Sequence, residues 1–207
     1  MNRSLVFALG VLGALLFVIS SILGGLWIDG YSFVGQYISE SFATGVSNAE
    51  YLRFMYIASG ILLFVFSLLT PNFFPKSKGG QIGFLVFGIL YGLGNVTVAL
   101  FPCDEGCPMG MEDSSFAQIV HNTSAFFTYL IIPFCLMGIG FSLRSTLKGE
   151  SFPMISIICG AIAFAFVVLL FGNPTGSFIG LFQRIIEGSI LFWVIYTSFY
   201  IRRTNNN

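Results

Sequence analysis

The sequence predicts an all-α, polytopic membrane protein: a compact bundle of six transmembrane helices with both termini cytoplasmic. Three observations carry this prediction. Hydrophobic residues make up 56% of the chain and charged residues only 9%, against about 25% charged in soluble domains. Six apolar stretches, at 5–27, 51–70, 82–101, 116–143, 152–171 and 181–200, are long enough to cross a bilayer, whose core of roughly 30 Å takes about 20 helical residues. Basic residues collect at alternate connections. The formal net charge is zero, so no excess of basic charge points to nucleic acid. The connections are short, which predicts one domain over 1–203. The polar end 204–207 reads as a disordered tail.

The first stretch follows Arg3 and could be mistaken for a signal peptide. Its apolar run is longer than the roughly 7–15 residues of a signal core, so it reads as a retained helix. Gly10, Gly13, Gly24 and Gly25 permit close helix approach, and Trp27 marks an interface. The connection 28–50 is the longest. Within it, Tyr37-Ile38-Ser39-Glu40-Ser41-Phe42 mixes aromatic, polar and acidic groups. Ser39 could cap a short interfacial helix, and Glu40 could dip toward the bundle.

Pro71 and Pro75 end the second helix. The third carries Gly88 and Gly92, a small-xxx-small pair that predicts a tightly packed, central helix. Asn95 near its end is expected to bond a neighbouring helix. Pro102 stops it. The fourth helix presents His121 early and contains Pro133, which predicts a kink. The fifth carries no charge. The sixth opens with Gln183, Arg184 and Glu187, spaced so that they share a face. Trp193, Tyr196 and Tyr200 lead toward the far interface. Cys135 and Cys159 read as small hydrophobes.

Arg3, Lys76, Lys78, Arg144, Lys148, Arg202 and Arg203 fall on one side, which the positive-inside rule makes cytoplasmic. The opposite side collects Asp29, Glu40, Glu50, Asp104, Glu105, Glu112 and Asp113. Of the nine basic residues, only Arg53 and Arg184 belong to that side. They either pair locally, with Glu50 and Glu187, or hold an anionic group.

The ionisable and polar groups of this outer half are Glu40, Arg53, Asp104, His121, Gln183, Arg184 and Glu187. They come from separate segments that a compact bundle could gather into one outward-opening, ligand-binding pocket. His121 beside Asp104 would form an acid–base pair able to activate water or a hydroxyl; the alternative is an interfacial histidine bonded to backbone or water. Cys103 and Cys107 lie in an oxidising compartment, where a disulfide is plausible. Free thiols or a metal site with His121 are the other readings. One histidine and a non-standard spacing argue against metal. No cofactor motif occurs.

Three stretches, Tyr37-Ile38-Ser39-Glu40, Phe101-Pro102-Cys103-Asp104-Glu105-Gly106-Cys107 and Gly180-Leu181-Phe182-Gln183-Arg184-Ile185-Ile186-Glu187-Gly188, together with His121, resemble the bacterial and archaeal membrane family called domain of unknown function 998. The resemblance covers nearly the whole chain. It implies a six-helix integral membrane protein, a bacterial or archaeal cytoplasmic membrane, and no established reaction.

Three functional classes follow. The first is a binding or transport protein whose outer pocket takes a lipid headgroup or a small polar or anionic ligand, with membrane lipids as partners. The second is a membrane-embedded lipid hydrolase or transferase using Asp104 and His121. The third is a structural or assembly protein with an internal ion-pair network.

Overall fold

The computed structural model describes residues 2–110 and 114–203. Glu112, Asp113 and the tail expected at 204–207 lie outside the described residues. Among the described residues, six apolar helices are long enough to cross a membrane: α1 (Arg3–Trp27), α2 (Ala49–Phe73), α3 (Lys78–Leu100), α4 (Phe116–Leu143), α5 (Phe152–Gly172) and α6 (Ile179–Arg203). The chain is a multi-pass membrane protein. Each helix packs on its neighbour in sequence, and α6 closes onto α1. The bundle is thus a ring that can enclose a central space.

The two ends of the ring differ. At the basic end, Arg3 donates to the Ile201 carbonyl at 2.6 Å, joining the first and last helices. Arg202 and Arg203 lie over the rings of Phe7 and Phe199. Just inside this end the ring is plugged with aromatics. Phe74, Phe84, Phe87, Phe152 and Trp193 pack against one another, and the Trp193 indole donates to Ser156 Oγ at 2.8 Å. Trp193 is completely buried. It therefore belongs to the core rather than to the interfacial belt its position in the sequence implied.

The opposite end, here the cap end, is closed by the loops 28–48, 101–110 and 173–178. A short 3₁₀ helix, Ile38–Phe42, crosses it. Its N-cap is Tyr37, not Ser39.

Two close crossings set the diameter of the ring. A Cβ at Gly60 would lie 2.5 Å from the Gly92 carbonyl oxygen, and one at Gly92 would lie 2.7 Å from the Phe64 nitrogen. Across the ring, a Cβ at Gly160 would lie 2.5 Å from the Pro133 carbonyl oxygen. Without a hydrophobic drive between helices in lipid, such backbone contact is what holds α2 on α3 and α4 on α5. Gly160→Ala should destabilise the protein by about 1–3 kcal/mol, the usual cost of overpacking. Gly138→Ala on α4, where a Cβ meets open space, is the matched control. Comparing unfolding midpoints of the two in detergent checks the expectation, and equal midpoints would refute it.

α3 is not a uniform α-helix. Gly88–Leu93 is a π-helical segment flanked by α-helical Lys78–Phe87 and Gly94–Leu100. The wider turn disturbs the regular main-chain ladder. The Leu90 carbonyl accepts from Thr128 Oγ1 of α4 at 2.8 Å. The segment also carries Tyr91, whose side chain is buried at the centre of the ring. α4 runs through Pro133 as one continuous helix. Pro133 brings no N–H to the Tyr129 carbonyl, one turn before it.

Candidate functional site

Toward the cap end the ring is not filled. A cavity of about 350 Å³ lies inside it, with residues from all six helices on its wall. Most of the wall is apolar, including Phe17, Phe42, Val98, Phe126, Leu170 and Phe171. Met109 and Phe126 line it while being 47% exposed. The cavity therefore reaches the cap loops and also the bundle perimeter, where Phe126 stacks on Phe171 at 5.4 Å.

Glu187 provides the acidic part of the wall. α6 buries Gln183, Glu187, Ile190 and Leu191 on one helical stripe, and the two polar members of that stripe meet the cavity. Glu187 is 6% exposed. Tyr91 donates to its Oε2 at 2.6 Å and Tyr129 donates to its Oε1 at 2.8 Å. Gln183 Nε2 in turn donates to the Tyr129 hydroxyl at 2.8 Å. The Ile38 N–H donates to Gln183 Oε1 at 2.6 Å. A continuous chain thus runs from the cap loop to the buried carboxylate. Each carboxylate oxygen keeps lone-pair capacity beyond its one phenol.

His121 is 4% exposed and also lines the cavity. Its Nδ1–H donates to the carbonyls of Phe101 at 3.0 Å and Val98 at 3.2 Å. Both partners are acceptors, so Nδ1 carries the proton and the neutral ring keeps its lone pair on Nε2. Asn95 lines the cavity too, and its buried Nδ2 has no hydrogen-bond partner. The expected bond from Asn95 to another helix is not made by that group. Tyr56, likewise on the wall, faces Ser21 without closing a hydrogen bond. Buried polar groups are rarely left unpaired without a reason such as a water or a ligand.

The remaining residues singled out from the sequence build the cap rather than the cavity. Arg184 Nη1 donates to the carbonyls of Phe33 at 2.8 Å, Gln36 at 3.0 Å and Gly180 at 3.0 Å, and Nη2 donates to the Tyr31 hydroxyl at 2.8 Å. The guanidinium also lies over the rings of Tyr31 and Phe33. Arg184 and Glu187 begin on one side of α6 but take different partners. Arg53 Nε donates to the Phe42 carbonyl at 2.9 Å and Nη2 to the Ala43 carbonyl at 2.7 Å. Arg53 also feels the charge of Glu50. Both arginines clamp main-chain carbonyls at the ends of cap segments.

Glu40 closes the 3₁₀ helix instead of entering the bundle. Its Oε1 accepts from the Tyr37 N–H at 2.7 Å and its Oε2 from Gln36 Nε2 at 2.8 Å. The Tyr37 hydroxyl reaches across to the Pro174 carbonyl at 2.7 Å. Burial, followed by the charge of Glu40, pushes the Tyr37 phenol up to about 12.

Asp104 and His121 likewise take separate partners. Asp104 Oδ2 accepts from the Ser115 N–H at 2.9 Å, beside the start of α4. Hydrogen bonding from the Ser115 side chain and backbone holds its carboxyl below the usual carboxylate value. A carboxylate at this helix end also opposes the positive end of the helix dipole. The geometry therefore gives Asp104 a capping position.

Gln118, which the sequence reading did not single out, organises this loop. It is completely buried. Its Oε1 accepts from the Asp104 N–H at 2.6 Å and its Nε2 donates to the Pro108 carbonyl at 2.7 Å. Its one sequence signal was its place three residues after Ser115, the N-cap of α4.

Cys103 and Cys107 are joined in a disulfide. Gly106 at φ 75° and Cys107 at φ 46° make the tight turn between them. Both cysteines are buried against Ala43 and Val46 of the first loop, and Cys107 Sγ lies 3.4 Å from Ser39 Oγ. The Thr44 N–H donates to the Cys103 carbonyl at 2.8 Å. The bridge thus closes a turn within one cap loop, and its packing and the Thr44 bond hold that turn on the first loop beside the cavity. Reduction followed by thiol labelling under denaturing conditions should add two labels relative to the unreduced protein. An unchanged mass would exclude the bond. Among the described residues, no group of three or more His, Cys, Asp or Glu side chains is placed to hold a metal ion.

A family model described as "Protein of unknown function (DUF998)" matches residues 11–200. Neither the search of curated proteins nor that of solved structures gives a match.

Proposed function

We propose that this chain, which belongs to the DUF998 family, is a binding or transport-type membrane protein whose central cavity receives an amphipathic molecule. The carrying observation is an apolar cavity of about 350 Å³ with polar groups at named points of its wall and the half-exposed Phe126 among its lining residues. That volume is within the roughly 300–1,000 Å³ of small-molecule sites. It accommodates a headgroup and the beginning of an apolar chain, with the rest leaving past Phe126. Glu187, His121 and Asn95 contact the polar end.

The charge distribution supports a cytoplasmic basic end and an extracytoplasmic cap in a bacterial or archaeal cytoplasmic membrane. Membrane lipids are then the first source of ligand. The cap arginines position loops and do not supply a site for an anion. The rival hydrolase reading requires Asp104 and His121 to work together, and their separate partners support binding instead.

Co-purifying lipid tests this reading. Extraction and mass spectrometry of the purified protein should find a retained amphiphile. Ala125→Trp, which fills the cavity from its wall, should lose it while the protein remains folded. An undiminished load in a folded Ala125→Trp protein would place the ligand elsewhere and remove the proposal.

A further inference from the structure

Resting on that reading, we infer that the cavity selects amphiphiles bearing an ammonium group, with Glu187 as the counter-charge and aromatic faces as the surrounding wall.

The inference starts from an imbalance of charge. Glu187 is a buried carboxylate that accepts from two neutral phenols. The basic side chain nearest to it in sequence, Arg184, is committed to the cap loop. Among the described residues, the ionisable acid and base on the cavity wall are Glu187 and His121. His121 already donates from Nδ1 to two carbonyls, leaving Nε2 as an acceptor. A buried carboxylate is costly unless paired. A ligand cation supplies the missing partner.

The wall chemistry agrees. Phe17, Tyr37, Phe42, Tyr56, Phe126 and Phe171 surround the same space. Aromatic faces attract ammonium and quaternary ammonium groups through the ring quadrupole, and more strongly when water is excluded. A carboxylate together with such rings recognises a cation whose substituents are apolar. An anionic headgroup would instead meet Glu187 with like charge in a low-dielectric space. A sugar or other neutral headgroup could use the free donors of Asn95 and Tyr56 but would bring no counter-charge to Glu187.

The selection is testable with simple probes of equal chain length. The full-length protein, held in a neutral detergent, is offered dodecyltrimethylammonium, dodecyl glucoside or dodecyl sulfate, and bound adducts are counted by native mass spectrometry. The ammonium probe should be retained about tenfold more than the glucoside, the scale of a desolvated cation–aromatic contact with a counter-charge. Glu187→Gln should bring the ammonium and glucoside probes to equal retention, and elution of the variant as a single monodisperse peak in detergent reports separately that it is folded. The wild-type comparison needs no variant and stands alone if Glu187→Gln fails to fold. Equal retention of all three probes, or a preference for the sulfate, would overturn the ammonium inference and leave the cavity proposal in place. A preference that survives in Glu187→Gln would overturn the role of Glu187. Binding of none of the three would overturn this inference and the cavity proposal together.

Discussion

Replacing Arg184 with Met is expected to destabilise the protein by about 3 kcal/mol or more and to release the first cap loop. The guanidinium donates to three main-chain carbonyls and one phenol. Hydrogen bonds from a charged group contribute about 1.5–3 kcal/mol each, and their losses do not add fully. Met keeps much of the apolar contact but none of the donors. The carbonyls of Phe33 and Gln36 then lose their anchor on α6, although the Leu181 N–H still reaches the Val34 carbonyl at 2.9 Å. Lys should not rescue the loss, because a point ammonium cannot reproduce the planar fork or lie flat on Tyr31 and Phe33. Unfolding midpoints in detergent and protease sensitivity across residues 28–48 measure the effect. A stable Arg184→Met protein with a resistant loop would show that the loop is held by its other contacts.

The second large effect should come from one oxygen atom. Tyr129→Phe removes a hydroxyl that accepts from Gln183 and donates to Glu187. Both partners are buried, and each group left unpaired costs about 1–3 kcal/mol. The expected total is about 3 kcal/mol, large for a change that preserves the ring. If the residues act as a chain, combining Tyr129→Phe with Gln183→Leu should cost less than the separate losses added. The coupling should be about 0.5–3 kcal/mol. Strict additivity in that cycle would refute the chain. A loss of stability with ligand retention intact would give these polar groups a folding role and separate it from the binding proposal.

The spans were legible because lipid imposes length and composition directly on sequence. The polar groups of the cap half could also be seen as exceptions to an apolar background. Their sorting was less legible. Gln183, Glu187 and His121 reach the cavity, whereas Glu40, Arg53, Asp104 and Arg184 bond the loops that cover it. Both groups obey the same charge pattern, and a side chain's destination depends on which carbonyls the folded loops bring to it. Tyr91 and Tyr129 escaped attention for a related reason. Tyrosine is ordinary in a membrane helix, and only the partner hydrogen-bonded to each phenol distinguishes it.

By itself, the sequence determined that six apolar helices cross a membrane, that charge is divided between two ends, and that two cysteines lie close enough to be joined. The tertiary structure decided the closed order of the ring, the π-helical turn that carries Tyr91, and the aromatic plug that fills the ring toward its basic end. It also decided that Glu187 meets two phenols rather than Arg184. Hydropathy and charge are properties of each residue and survive in a linear reading. A cavity, and the partner of a buried carboxylate, exist only where several helices fail to fill the space between them.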